Sequence, residues 1–358
     1  MLTCVLTGDI RSVQAALAAG QNVDGENEYQ LPPIVAAAGT GNICMMDLLL
    51  SKGANVEAES PVGIRPGPPS YSLIASQGSR AIHSAAKCGH TDVLRMLLLA
   101  DANPNAQDLE GRTALMFACV NEKERRAEKM VRVLLDGGAH PALANLEEGR
   151  IAIHFAAKYG YTGVIDMLLS KAPRTLTRVD AKGRSPLFCA ALSNREGAVS
   201  FLLSARATCN THVYCPLTIA ARVGYENLVR ILLSKVETIG GLDAFRRALE
   251  HATTMGQPKT LWILLGVSEE RQYPDAQPRI DEVPLLHLAA GYGNLLTARV
   301  LHAAGADESA RDCRGRIAGD IVGGYLCDGH QLNAAKRSAI RRTLERGAAF
   351  RARSWAWP

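Results

Sequence analysis

Apolar residues along this chain recur in a two-beat pattern. A first run opens with an apolar pair, often followed by His, and closes on Ala-Ala; two variable positions and a Gly come next, and a second apolar run ends in Leu-Leu or Val-Leu. Residues 80–108 (RAIHSAAKCGHTDVLRMLLLADANPNAQD), 151–173 (IAIHFAAKYGYTGVIDMLLSKAP), 215–236 (CPLTIAARVGYENLVRILLSKV) and 284–307 (PLLHLAAGYGNLLTARVLHAAGAD) carry the frame most fully. The spacing predicts pairs of short helices. In GRTALMFACVNEKERRAEKMVRVLLDGGA, Gly111 opens a turn and Thr113 caps the first helix, its hydroxyl accepting an orphan backbone N–H. Ala118 and Cys119 are small enough to let neighbouring first helices approach closely. Met130, Val133, Leu134 and Leu135 make an apolar stripe on the second helix, which ends near Gly138. One such hairpin cannot bury its own faces, so stacked neighbours must complete the core.

The copies register on the Gly between the two runs: Gly8, Gly41, Gly89, Gly160, Gly224, Gly256 and Gly293, with Glu122 and Asn194 in the same slot of two degenerate copies. Successive intervals are 33, 48, 33, 38, 34, 30, 32 and 37 residues, a period near 33 with insertions. With SPLFCAALSN, CPLTIAARVGY and PLLHLAAGYGN among the copies, the pattern resembles the ankyrin repeat, whose motif reads Thr-Pro-Leu-His, Ala-Ala, Gly-His, Leu-Leu. Arg80-Ala81, Ile151-Ala152 and Thr113-Ala114 lack its proline, and Met116, Phe188 and Thr218 replace its His. The resemblance implies an all-α ankyrin-repeat solenoid of about nine or ten helix-turn-helix repeats. Residues 1–310 are expected to form the array, 311–347 a degenerate C-terminal capping repeat, and 348–358 a basic, Trp-bearing tail.

Three stretches interrupt the frame. The segment 58–79, rich in proline, is expected to be a loop projecting from the turn between repeats. NEKERRAEK (121–129) lengthens either the inter-helix turn or the second helix of its copy. A polar, proline-bearing loop is expected in 266–283. Beyond it, 334–346 reads as a basic helix, and residues 311–358 hold ten Lys or Arg against four Asp or Glu.

Composition agrees with the repeats. Hydrophobic residues reach 47% while aromatics are only 5%, so Ala and Leu dominate, as helices packed through small side chains require. Charged residues at 21% with a net charge of +5 exclude a disordered polyelectrolyte and make nucleic acid an unlikely main partner. The longest uncharged stretch, 29–46, contains two prolines and two glycines, so no transmembrane segment is expected. Nine cysteines with no CxxC pair and no Asn-x-Ser/Thr sequon point to free thiols in a reducing compartment. The expectation is a soluble, monomeric intracellular protein of the cytoplasm or nucleus.

No catalytic motif emerges, and the chain is expected not to be an enzyme and to need no cofactor. GTGNIC and GYGNLL lack the third glycine and the preceding strand of a dinucleotide fingerprint. Cys209, His212 and Cys215 lie close together in CNTHVYC, but no fourth metal ligand accompanies them. His83, His154 and His287 occupy equivalent slots; the resemblance implies a structural bracket for each. What remains is surface. After Ala-Ala come Lys87-Cys88, Lys158-Tyr159, Arg222-Val223 and Gly291-Tyr292; just before the first helix come Arg112, Arg150, Arg184 and Arg316. These slots are expected to line one concave face. Arg112, Arg150, Lys158, Tyr159, Arg184, Arg222 and Tyr292 are the candidate partner-binding residues, in slots the fold is expected not to use. The resemblance implies a scaffold or adaptor that binds a protein. Two alternatives stand beside it: a regulatory or targeting part of a larger signalling or ubiquitin-ligase protein, and binding of an anionic partner by the basic C-terminal segment.

Overall fold

The computed structural model describes residues 1–25, 31–60, 76–208, 215–235, 240–270, 279–280, 283–324 and 334–345. Within them are nineteen α-helices and a single pair of two-residue strands, so the architecture is all-α. The chain divides into two compact units, Met1–Ala190 and Ala191–Pro358.

The first unit is a stack of helical hairpins: α1 (Leu2–Thr7) with α2 (Ile10–Ala18), α3 (Pro33–Thr40) with α4 (Ile43–Ser51), α5 (Ala81–Cys88) with α6 (Thr91–Leu99), α7 (Ala114–Cys119) with α8 (Glu124–Asp136), and α9 (Ala152–Tyr159) with α10 (Thr162–Lys171). A 3-10 turn, Pro173–Thr177, leads on to α11 (Pro186–Leu192). First helices pack on first helices and second on second. The first-helix layer is closed by Ala85, Ala86, Ala118, Cys119, Ala156 and Ala157, all without solvent exposure. The second-helix layer uses larger side chains at helical spacing, such as Val93, Leu94 and Leu97 on α6 and Met130, Val131 and Leu134 on α8. Each of these is worth about 1.5–3 kcal/mol of burial, available only because a neighbour covers it.

The second unit repeats the scheme with α12 (Glu196–Ser204), α13 (Pro216–Val223) and α14 (Glu226–Leu233), α15 (Gly241–Thr254) and α16 (Pro258–Glu270), and α17 (Leu285–Gly291) and α18 (Leu295–Ala303). Strands β1 (Arg279–Ile280) and β2 (Val283–Pro284) pair antiparallel just before α17. A 3-10 turn, Ala318–Ile321, packs on α17, and the basic segment forms α19 (Ala334–Glu345), which packs on α18 and buries Ile340 and Leu344.

The glycine register is a backbone requirement. All seven of its glycines adopt positive φ, from 70° at Gly256 to 91° at Gly224, and Asn194 takes the same region at 53°. Space is a second reason for Gly there. A Cβ on Gly41 would lie 2.3 Å from the His90 ring, and one on Gly256 2.9 Å from Asn294. The residue that starts the next second helix leans over the glycine to reach the preceding repeat. His90 Nε2 meets Gly39 O at 3.0 Å, and Asn294 Nδ2 donates to Thr253 O and Thr254 O at 2.8 and 2.7 Å. The Glu122 copy departs from this: α7 stops after Cys119, and the charged stretch becomes an extra turn of α8, 13 residues long against 9 in α6.

The insertion is expected as a loop between repeats, and only its two flanks are described. Its residues 61–75 lie outside the described residues, as do most of the 266–283 stretch, Cys209, His212 and the tail after 345. The flanks of the 58–79 segment are well formed. Ser60 N donates to Ser79 O and Gly78 N to Ser60 O, both at 2.9 Å; Ser79 N donates to Ser60 Oγ at 2.9 Å. The uninterrupted turn before α7 has the same frame: Asp108 N to Arg112 O at 3.0 Å, Gly111 N to Asp108 O at 2.9 Å, and Arg112 N to Asp108 Oδ1 at 2.8 Å. Ser60 therefore stands where Asp108 stands, and the insertion replaces the tip of the turn without altering its base.

The described cysteines are free thiols in contrasting settings. Cys44 and Cys313 are exposed, while Cys119, Cys189 and Cys215 are buried. Burial pushes the Cys189 thiol up to about 11 and that of Cys119 higher still. Thiolate is the reactive form, so Ellman's reagent should modify Cys44 and Cys313 in the native protein and reach Cys119 and Cys189 only on unfolding. Rapid native labelling of Cys119, read by peptide mass mapping, would contradict this packing.

Candidate functional site

The three equivalent histidines are brackets, as their slot implies. Nδ1 of His83 accepts from Arg80 N at 3.0 Å, and Nε2 donates to Ala106 O in the following turn at 2.8 Å. His154 does the same with Ile151 N at 3.3 Å and Arg184 O at 3.1 Å. Each ring thus ties its own helix start to the next repeat, and an accepting Nδ1 with a donating Nε2 requires the neutral tautomer. Burial pushes the pKa of both rings down, that of His154 to about 4. His287 donates to Arg316 O at 2.8 Å, but its Nδ1 has no hydrogen-bond partner. The reason is Pro284, which fills the cap position and has no N–H to offer.

The arginines before the first helices have a definite structural use, so the expectation that the fold leaves those slots idle does not hold for them. Asp108, Asp180 and Asp312 lie four residues before Arg112, Arg184 and Arg316. Each carboxylate accepts the arginine's backbone N–H through Oδ1 (2.8, 2.9 and 2.8 Å) and its Nε through Oδ2 (2.9, 2.7 and 2.9 Å). The Asp108 and Asp180 side chains are wholly buried. Arg150 joins the same cluster, with Nη1 2.6 Å from Glu148 Oε2 and Nε 3.4 Å from Asp180 Oδ2. Side-chain exposure is 24% for Arg112, 15% for Arg150 and 13% for Arg184. Burial pushes the Asp180 carboxyl up, but the backbone N–H and guanidinium of Arg184 outweigh it, and the net position is below the usual carboxylate range. The signal for this lock is in the sequence: an Asp four residues ahead of the arginine in three of the four Gly-Arg pairs. Arg112 also lies over the Phe117 ring, 4.9 Å from its centroid.

The slots after Ala-Ala differ. Lys158 is exposed at the end of α9, its ammonium 5.9 Å from the centroid of the half-buried Tyr159. Tyr159 leans on Tyr161, centroids 5.8 Å apart, and the Tyr161 hydroxyl donates to Asn121 O of the preceding repeat. In the second unit, Arg222 is exposed at the end of α13, and Tyr292 is 39% exposed just after α17. In the first unit, then, the structure brings Arg150 and Arg184 together on Asp180. Lys158 and Tyr159 meet at the end of α9, while Arg112 belongs to the preceding turn. Arg222 and Tyr292 occupy the same kind of slot in two copies of the second unit. Among the described residues no group of three His, Cys, Asp or Glu side chains is placed to hold a metal ion.

A family model of ankyrin repeats fits the chain three times, over residues 1–108, 68–145 and 128–213. The chain belongs to the ankyrin-repeat family. Among curated proteins, inversin from Canis lupus familiaris is 28% identical over 202 residues, covering 50% of this chain and 19% of inversin. The ankyrin repeat and KH domain-containing protein mask-1 of Caenorhabditis elegans is 26% identical over 278 residues, covering 76% of this chain and 10% of its own length. The B-cell lymphoma 3 protein homolog of Mus musculus is 33% identical over 160 residues, covering 42% and 34% of the two chains. The matched part is less than a fifth of inversin's length. Ankyrin repeats are protein-interaction modules and generally not enzymes. No helix among the described residues is long and apolar enough to cross a membrane.

Proposed function

We propose that this array is a scaffold or adaptor that holds a partner protein at the ends of its first helices, in the first unit, the second or both. The observation that carries this reading is the recurrence of cationic or aromatic side chains, exposed or half-buried, at the slots after Ala-Ala. Lys158 and Tyr159 supply it in the first unit, Arg222 and Tyr292 in the second. Such slots vary without cost to the core, and Arg and Tyr contribute strongly to interfaces when buried against a partner. Arg112, Arg150 and Arg184 border this face with their exposed edges. Their lock onto Asp108 and Asp180 gives them fixed positions, so they lose little freedom on binding. The partner's contacting segment is acidic or polar, the complement of these cations. The same role serves an array acting alone or as the docking part of a longer protein.

Because Arg150 contacts the buried Asp180, the test spares it. With a partner recovered from the native cell extract, Lys158→Ala with Tyr159→Ala should weaken binding by about 2 kcal/mol or more, roughly thirtyfold in Kd, with an unchanged melting curve. Isothermal titration calorimetry measures it. An unchanged Kd in that variant and in Arg222→Ala with Tyr292→Ala would remove this face from the interaction.

A further inference from the structure

The extra turn of α8 creates a feature that the repeat frame does not. With 13 residues against 9 in both α4 and α6, α8 has four more residues, and at about 1.5 Å per residue these add some 6 Å of helix. The groove beside it is lined from three successive repeats, starting at Gly41 and Ile43, crossing the start of α6, and ending on α8. Its cationic lining is Arg95, Lys123, Arg125, Arg126, Lys129 and Arg132. All six are exposed, and none forms an ion pair with a carboxylate among the described residues. Two carboxylates, Asp92 and Glu128, also line it, and Glu128 reaches toward Gly163 at the start of α10. This contrasts with Arg80, Arg112, Arg150 and Arg184 of the same unit, each held by a carboxylate.

We propose that this groove between α6 and α8 is a docking site for a short acidic segment of a partner protein, separate from the first-helix face. Six unpaired cations confined to one groove set up a local positive potential that attracts a run of Asp and Glu side chains and raises its association rate. Arg125, Lys129 and Arg132 follow one another at helical spacing, a row about 10 Å long. An extended peptide covers that length with about three residues, so the site is sized for a brief acidic motif. Asp92 and Glu128 favour a peptide over other polyanions. A peptide can place its side chains to avoid both and offer them its backbone N–H groups, whereas a nucleic-acid strand brings a phosphate at every step. A recessed groove is also poorly shaped for the flat surface of a membrane.

The experiment is fluorescence anisotropy of the full chain with a fluorescein-labelled peptide of about eight glutamates, titrated at low and physiological salt. Binding should be measurable at low salt and weaken as salt screens the groove. The triple reversal Arg125→Glu, Lys129→Glu, Arg132→Glu should weaken it by about tenfold or more. The reversal Lys171→Glu, Arg174→Glu, Lys182→Glu changes net charge equally at exposed sites elsewhere in the unit and should leave Kd within about twofold. Should the first triple lower the melting temperature, the neutral set Arg125→Gln, Lys129→Gln, Arg132→Gln is measured in its place. No binding by the wild type, or equal losses in both reversals, would overturn the site. Tighter binding of a single-stranded oligonucleotide or of phosphatidylserine vesicles, dependent on the same three residues, would overturn the acidic peptide as its occupant. Loss of peptide binding in the Lys158→Ala, Tyr159→Ala variant would instead assign the attraction to the first-helix face.

Discussion

Acidification from pH 6.5 to about pH 4 should destabilise this protein through His154. Its ring is neutral and buried in the folded state, with a pKa near 4 against an ordinary value of 6.5. Between those values the unfolded chain binds a proton that the folded chain does not, so stability rises with pH across the window and is lost as pH falls through it. The full loss, reached below the folded pKa, is roughly 3 kcal/mol for this one group. Burial shifts His83 in the same direction, and its loss adds to that of His154. His154→Ala should itself cost roughly 1–3 kcal/mol near neutrality, because Ile151 N and Arg184 O lose their partner. The diagnostic is the difference between the two proteins. In urea melts followed by circular dichroism, the gap between wild type and His154→Ala should narrow as pH drops toward about 4, since the variant has no proton to take up there. A gap independent of pH would mean that the ring accepts its proton without leaving its bracket.

Asp180→Ala should be among the most damaging single changes in the array, at roughly 3–5 kcal/mol. The wholly buried carboxylate accepts from Lys182 N at 3.0 Å, Arg184 N at 2.9 Å, Arg184 Nε at 2.7 Å and Arg150 Nε at 3.4 Å. Alanine strands all four donors, two of them on guanidinium groups that are mostly buried. Asp180→Asn keeps an acceptor of the same shape without the charge, so the share of its loss in that of Asp180→Ala separates hydrogen bonding from charge. Thermal melts give both numbers. A loss below about 1 kcal/mol in Asp180→Ala would mean that Glu148 alone can hold the two arginines.

The repeat frame was legible in the sequence because its marks are physical necessities at a fixed period. A residue in the left-handed region turns the first helix into the second in every described copy but the Glu122 one, and Gly8 through Gly293, with Asn194, supply it. The histidine slot was legible for the same reason, since one ring at one position can join a helix start to the next turn. The lock on the arginines was harder to see. Asp108, Asp180 and Asp312 each open an Asp-x-x-Gly-Arg turn, but the copy before α9 hides the pattern by placing Asn145 five residues ahead of Arg150. A single slot inspected across copies shows the arginine and misses its partner. The run 121–129 was ambiguous because it contains neither Gly nor Pro to mark a turn, and packing decided in favour of helix: Ala127, Met130 and Val131 are fully buried. The missing N–H at Pro284 was on view in the sequence, but its effect on His287 depends on a hydrogen bond that only the fold defines.

The serine-closed base of the turn before α5 bears on how such an array can change over time. Ser60 and Ser79 reproduce with hydroxyl and backbone groups the closure that Asp108 and Arg112 achieve with an ion pair. Nothing in that base depends on the length of the chain between its two sides. Each doubling of a connecting segment costs only about 0.6 kcal/mol in closure entropy, less than one buried leucine contributes. The turns between repeats are therefore ports: new sequence can be taken up or discarded at them, one repeat at a time, while the helices beneath keep their register.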